Sequence, residues 1–457
     1  MTDASKDLCA ENAGAGHGKR DFGSFYSSNV EELINMPEDE YIPPEFPFTF
    51  PSYDEYKSSK TAPPFGRKMR RKHYFLEEDC TFLNHGAFGA SLKEAILVAQ
   101  QWQAYIEKQP LRFFDREVLI HLIYITRRMA KFVGCHPGEL ALVPNVTSAM
   151  NAVIKNLDIK QGDHIYYLNV TYGSVKTLIK HTAKEKGATI QEETIEFPIQ
   201  SKQQIINLVK NTLRKGTKLA VFDHIPSNTP FIQPLQELIH ICHERGVPVL
   251  VDGAHGLGIL PLNLHELDVD YYTTNCHKWF SSFKGCALLY VKKSLQSTVG
   301  PLIISHGFGH GFNSDFMWSG LRDYSPFLSL HTVLDFWQSV GVQRIRDYVY
   351  KLREQAAEYL VRRWNTGLIA PKDMFGSMAA VRLPSIFVDG KQTVSYSDAE
   401  VIQNNLYQRF NIEVPIKAVQ GQLYVRISCH IHNELKDYEN LAEAILVLAA
   451  ERVQGVL

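Results

Sequence analysis

Residues Thr273 to Gly285 read TTNCHKWFSSFKG and link the apolar run VDYYTT to a second one, CALLYV. Both runs read as buried strands, so Lys278 lies at the mouth of the turn between them, flanked by His277 and Trp279. A lysine rarely keeps such apolar company unless something pairs with its amine. The texture repeats outward from there. Short runs rich in Val, Ile, Leu and Tyr (DHIYYLN, KLAVFD, VPVLVD) alternate with helical spacing over VKTLIKHTAKEKG, SKQQIINLVKNTLRKG and PLQELIHICHERG. Strands apolar along their whole length and separated by helices predict an α/β fold with a mostly parallel sheet covered on both faces. In such sheets ligands bind beyond the carboxyl ends of the strands, which places Asp223, Asp252 and Lys278 at one rim.

The totals limit what that rim can serve. A chain of 457 residues, 45% hydrophobic and 21% charged, is long enough for two or three core units. A net charge of -1 predicts no strong pull toward nucleic acid or an acidic membrane surface. The one basic cluster, Arg67 to His73, reads as a solvated approach to the core. No apolar run approaches the roughly 18 residues of a membrane span. Seven scattered cysteines without a CxxC pair predict reduced thiols. The first residues lack the apolar segment of a secretory signal, and three acids among the first eleven argue against a transit peptide. The expected location is cytoplasmic.

Three regions are expected. Residues 1–65 form a mobile or surface-wrapping extension, whose aromatics (Tyr41, Phe46, Phe48, Phe50, Tyr53) point to partial docking. Residues 66–340 form the large domain. Residues 341–457 supply a connecting helix and a small α+β domain.

A carboxylate (Asp252, with His255 just beyond it in VLVDGAHGLG) and an amine (Lys278, after Asn275 and His277) at neighbouring strand ends suit an aldehyde cofactor with a basic ring nitrogen. The amine forms an imine, and the aspartate keeps the ring nitrogen protonated so that it draws electrons. That cofactor is pyridoxal 5'-phosphate. A cradle for its phosphate is offered by VPNVTSAMNAVI, where Asn145 to Ser148 open a helix with free N–H groups, and Thr147 and Ser148 add hydroxyls. Each motif has a plainer reading: a turn aspartate, an ordinary N-cap. It is their order along the chain that favours the cofactor. SHGFGHGF brings His306 and His310 close without a carboxylate or thiol in ligand spacing, so no metal is expected. Neither a GxGxxG fingerprint after the first strand nor a GxSxG elbow is present.

Taken together, FLNHGAFGA, DGAHGLG and NCHKWF resemble the class V aminotransferase family of fold-type I pyridoxal phosphate enzymes, and within it the branch of isopenicillin N epimerase-like proteins and cysteine desulfhydrases. The resemblance runs from about Phe65 to the C-terminus. It implies a large domain with a seven-stranded sheet, a small C-terminal domain and a homodimer. It also implies roles: Lys278 as the Schiff-base lysine, Asp252 as partner of the ring nitrogen, and His255 as a histidine beside the cofactor. Tyr172 would stack on the ring, Ser227 would lie near its hydroxyl, and Thr147, Asn275 and His277 would lie on the phosphate side. Arg426 of LYVRISC would grip the substrate carboxylate, with Asn84 and His85 lining the substrate side. Two departures stand out. Leu321 occupies the position of a threonine that reaches the neighbouring subunit's phosphate, leaving Ser319 or backbone amides to substitute; and SNTP stands where SPTG is typical.

The family's first step, removal of the Cα proton by the freed lysine, leads to racemisation, transamination or loss of a β-substituent. Sulfur-transferring members carry a cysteine in the loop before RIS, whereas this chain has NIEVPIKAVQGQLYV. Cys276 and Cys429 read as buried small residues. Elimination of a thiolate needs no enzyme nucleophile, so a carbon–sulfur lyase releasing pyruvate, ammonia and sulfide or a sulfur product is expected. Aminotransferase and amino-acid epimerase are the alternatives. A protein that binds the cofactor without turnover is the reading from another class, and the intact Lys278, Asp252 and Arg426 argue against it.

Overall fold

Strands covered on both sides send alternate residues into two separate cores. In the computed structural model, which describes residues 27–58 and 62–455, Ala220, Phe222, Val249, Val251 and Tyr272 enter one core, and Leu219, Val221, Leu250, Tyr271 and Leu289 the other. Twelve strands are formed by the described residues: β1 (Thr81–Phe82), β2 (Leu140–Val143), β3 (His164–Leu168), β4 (Thr189–Glu193), β5 (Thr217–Asp223), β6 (Val249–Asp252), β7 (Tyr271–Asn275), β8 (Ala287–Val291), β9 (Met378–Arg382), β10 (Ile412–Glu413), β11 (Ile416–Val419) and β12 (Gln422–Ser428). Seven make the large sheet in the order β2-β8-β7-β6-β5-β3-β4. Every neighbouring pair is parallel except those of β8, which runs against both β2 and β7. The fold is thus the mostly parallel α/β sheet of fold-type I enzymes.

Register sets the rim. Asp223 pairs with Asp252 across β5 and β6, and Asp252 with Thr273 across β6 and β7. The turn after β7 is held from the N-terminal side. Gly89 has φ +69°, and a Cβ there would lie 2.1 Å from the His277 carbonyl oxygen. Only glycine lets that loop close onto the lysine's peptide. Gly253 similarly leaves room for the ring of Tyr272, which would lie 2.2 Å from a Cβ.

A 23-residue helix, Val342–Trp364, leads from the large sheet to the small one and ends at Asn365 in the left-handed conformation. It packs on β9 and on the helix Leu435–Val453. The small sheet is antiparallel, in the order β11-β12-β9. A two-stranded parallel pair, β1 with β10, ties residues 81–82 to the C-terminal region. That pairing carries Asn84 and His85 toward β12.

Of the N-terminal segment, residues 1–26 (with Cys9) lie outside the described residues. Between 27 and 58 the chain packs on helices of the large domain. Phe46 meets the rings of His121, Tyr124 and His331, Phe48 meets Trp102, and the Tyr53 hydroxyl lies 2.9 Å from that of Thr332. Arg127 stacks on Tyr41 and donates to the carbonyls of Leu33, Ile34 and Met36.

Candidate active site

The half-buried Lys278 lies in the turn just past β7, and its Nζ lies 3.2 Å from Nε2 of His255. Burial pushes the amine down to about 8; the carboxylates of Asp252 and Asp223 work against that, and Arg426 works with it. A lysine in this range is partly uncharged at neutral pH and able to take a proton or attack a carbonyl. His255 is held well below the usual histidine range by burial and by the positive charges of Lys278 and Arg426. It is therefore a neutral imidazole.

Asp252 and Asp223 lie side by side, both buried. Burial raises both carboxyls, and Asp223, pushed further by the charge of Asp252, takes up the proton first. Asp252 remains the anion, held by the Ala254 amide at 3.0 Å and by the field of Lys278. Two carboxylates this close cannot both ionise cheaply. The sequence places Asp223 at the rim without giving it a role, because nothing in a sequence reveals which strands are neighbours.

Opposite stands Arg426, on β12 of the small sheet. It donates to the Ser227 carbonyl at 2.7 Å, to the Ser227 hydroxyl at 3.2 Å and to Oδ1 of Asn84 at 2.7 Å. Asn84 in turn donates to Glu413 at 2.9 Å. Burial lowers the guanidinium to about 10, so it stays charged. Its Nε is buried without a partner, as are Nδ1 of His277 and Oδ2 of Asp223. Unsatisfied buried polar atoms of this kind call for a polar ligand.

The structure bears on the expectations for His85, Asn275 and Ser148. His85 does not line a substrate wall: it is fully buried, with Nε2 3.0 Å from the Lys278 carbonyl and Nδ1 3.0 Å from His432. Asn275 accepts the Val146 amide at 3.1 Å through Oδ1, which ties the end of β7 to the start of the helix Val146–Ile154. Ser148 spends its amide and hydroxyl on Oδ1 of Asn145, at 2.8 and 3.1 Å. An N-cap satisfies the same N–H groups that an anion would use. The exposed Thr147, with its first-turn amide and hydroxyl, remains at the helix Val146–Ile154 for a phosphate. Tyr172, 47% exposed, starts the helix Gly173–Lys186, and Leu321 is 74% exposed.

His85, His430 and His432 are close enough for a metal. The rings of His85 and His430 are nearly parallel, however, at 15° with centroids 4.1 Å apart. An imidazole lone pair lies in its ring plane, so two stacked rings cannot both aim at one ion. The pair instead braces the backbone after β7, with His430 Nε2 2.9 Å from the Trp279 carbonyl. Elsewhere, a groove of about 780 Å³ lies between Tyr124, Arg127, Asn263 and Arg346. Its arginines are taken: Arg346 donates to the carbonyls of Gly258 and Leu260, Arg128 to the carboxylate of Asp335, and Arg127 to the N-terminal segment.

These residues fit pyridoxal phosphate: an amine for its aldehyde, a buried anion for its ring nitrogen, and a helix start for its phosphate. The profile of the family described as "Aminotransferase class-V" matches residues 119–441. The chain belongs to that family. Its members use pyridoxal phosphate. Among relatives, a probable chloroplastic L-cysteine desulfhydrase of Arabidopsis thaliana is 30% identical over 81% of this chain and 83% of its own. Isopenicillin N epimerase of Amycolatopsis lactamdurans is 26% identical over 83% and 98%. Among solved structures, a cystine C–S lyase in complex with its product cysteine persulfide superposes with TM-score 0.68 at 20% identity, covering 80% of this chain and 97% of that one. Such a structure supports the fold.

Proposed function

We propose that the protein is a pyridoxal phosphate-dependent carbon–sulfur lyase that acts on cysteine or a related β-substituted amino acid. The carrying observation is an amine depressed to about 8 beside a buried anion, facing a charged arginine. Cys429 is buried, receives the Tyr438 hydroxyl at 2.9 Å, and is pushed up to about 12. Burial and the neighbouring Cys276 push the Cys286 thiol well up. Neither is poised to accept sulfur. The names of the plant relatives support the same reaction.

In this reading Arg426 binds the substrate carboxylate with Ser227 and Asn84 fixing the fork, Thr147 holds the phosphate, and Tyr172 covers the ring. Bound pyridoxal phosphate supplies an aldehyde for covalent capture and a ring that draws electrons from Cα. Asp252 keeps a negative charge where the ring nitrogen lies. Lys278, once its nitrogen is released, takes the Cα proton; the thiolate leaves Cβ, and water supplies the oxygen of pyruvate.

Pyruvate release from L-cysteine, L-cystine and S-substituted cysteines tests the proposal. Pyruvate and ammonia in equal amounts are expected. If none forms while an α-keto acid is aminated, the aminotransferase reading replaces it. Solvent deuterium at Cα of otherwise intact substrate would favour the epimerase reading, which the 26% identity to isopenicillin N epimerase keeps open. Among the described residues no helix is long and apolar enough to cross a membrane. We also propose a homodimer in the cytoplasm. The exposed Leu302, Ile303, Ile304 and Leu321 are apolar surface for a second copy, and the six described cysteines are unpaired.

A further inference from the structure

We infer that Trp279 is a positioning residue whose indole N–H fixes the tautomer of His255, leaving its Nε2 as a donor toward Lys278 that favours the uncharged amine. The inference rests on the reading that Lys278 holds the cofactor, and it concerns a state of Lys278 that exists before cofactor binds.

The argument runs on donors and acceptors. Trp279 Nε1 lies 3.0 Å from Nδ1 of His255. An indole nitrogen can only donate, so Nδ1 must accept. His255 is buried and neutral, and a neutral imidazole carries one N–H. That hydrogen is therefore on Nε2, which faces Lys278 Nζ at 3.2 Å. A free amine can accept it with its lone pair; an ammonium has none and would set N–H against N–H. Trp279 is not free to turn away. It is fully buried, its carbonyl accepts from His430, and its ring lies against Gly86, where a Cβ would come within 3.2 Å of the indole.

Other charges face the same nitrogen. Asp252 and Asp223 at the strand ends favour the ammonium, and Arg426 from β12 opposes it. The neutral His277 lies next in sequence. None of them is a donor locked in one tautomer. Histidine at 255 alone would not suffice, since without the indole either ring nitrogen could carry the proton.

The test uses full-length cofactor-free protein, labelled across a pH series with an amine-reactive reagent, with Lys278 followed by peptide mass spectrometry. The wild-type midpoint is expected near 8. In Trp279→Phe it is expected to rise by about one pH unit, close to tenfold slower labelling at neutral pH. Opening the site to water would raise it too, so the same change is made in His255→Gln. There Trp279→Phe is expected to leave the midpoint unmoved. An equal rise in both backgrounds, or no rise in either, overturns the inference. Should Trp279→Phe not fold, long-range nitrogen–proton spectra of histidine-labelled wild type read the tautomer, with His255→Gln giving the assignment. A proton on Nε2 is expected; one on Nδ1 overturns the inference. Loss of the cofactor absorbance band in Lys278→Ala tests the underlying reading separately.

Discussion

The two walls of the site are made in different ways. One is the rim of the large sheet, where Asp252, His255, Asn275 and Lys278 lie at or just past strand ends within a few dozen residues of chain. The other is assembled from distant segments: Arg426 from β12, Asn84 from beyond β1, and Ser227 from the loop after β5. In the proposed function the rim carries the chemistry and the opposite wall binds the substrate. Reaction class can therefore be written in one short motif while substrate choice is spread across the fold. If this division is right, changes at the rim abolish turnover, and changes at the other wall shift affinity.

Lys278→Ala should have the largest effect. It removes both the covalent attachment and the base, so turnover should fall by at least about 10³-fold, general base catalysis alone giving 10² to 10⁴. Absorbance of the cofactor-loaded protein and pyruvate assays read both losses. Full activity in this variant would undo the assignment of the rim. Asp252→Asn comes next: it keeps the shape and removes the anion, so kcat should drop by about 10² to 10³, in line with losing a preorganised charge. An unchanged KM is expected alongside, and a loss confined to KM would move Asp252 to the other wall.

Arg426→Lys probes the second wall. A lysine keeps the charge but loses the planar fork held between Ser227 and Asn84. Charge-assisted hydrogen bonds contribute about 1.5 to 3 kcal/mol, so kcat/KM should fall roughly 10- to 100-fold. The loss should fall mainly in KM, read from saturation curves with cysteine. A fall in kcat alone would erase the difference between the walls.

The sheet, the rim lysine and the aspartate were legible because each is local: period, strand-end position and turn can be read within a dozen residues. Arg426 was placed by resemblance, and its partners by the structure. The role expected of His85 failed for a physical reason. A histidine beside a substrate-side asparagine looks like a ligand group, but β1 pairs with β10 and turns its ring into the stack with His430. Ser148 differs likewise, because a helix N-terminus offers the same amides to a cap as to a phosphate. Trp279 was given no role from the sequence, since no spacing rule links it to His255.

Asp223 is the rim residue whose place beside Asp252 strand order alone reveals, and Asp223→Asn should have the smallest effect on turnover. Burial and the charge of Asp252 raise its carboxyl, so the folded protein binds a proton there that the unfolded chain releases above about 4. Stability from that proton is present below about 4 and is lost as pH rises toward the folded value. Asparagine keeps the shape and needs no proton. The variant should therefore match the wild type in melting temperature near pH 4 and exceed it progressively toward pH 7, with kcat within a few-fold. A variant that melts lower than wild type at pH 7 would mean that Asp223 is charged there, and that the two carboxyls share the rim in some other way.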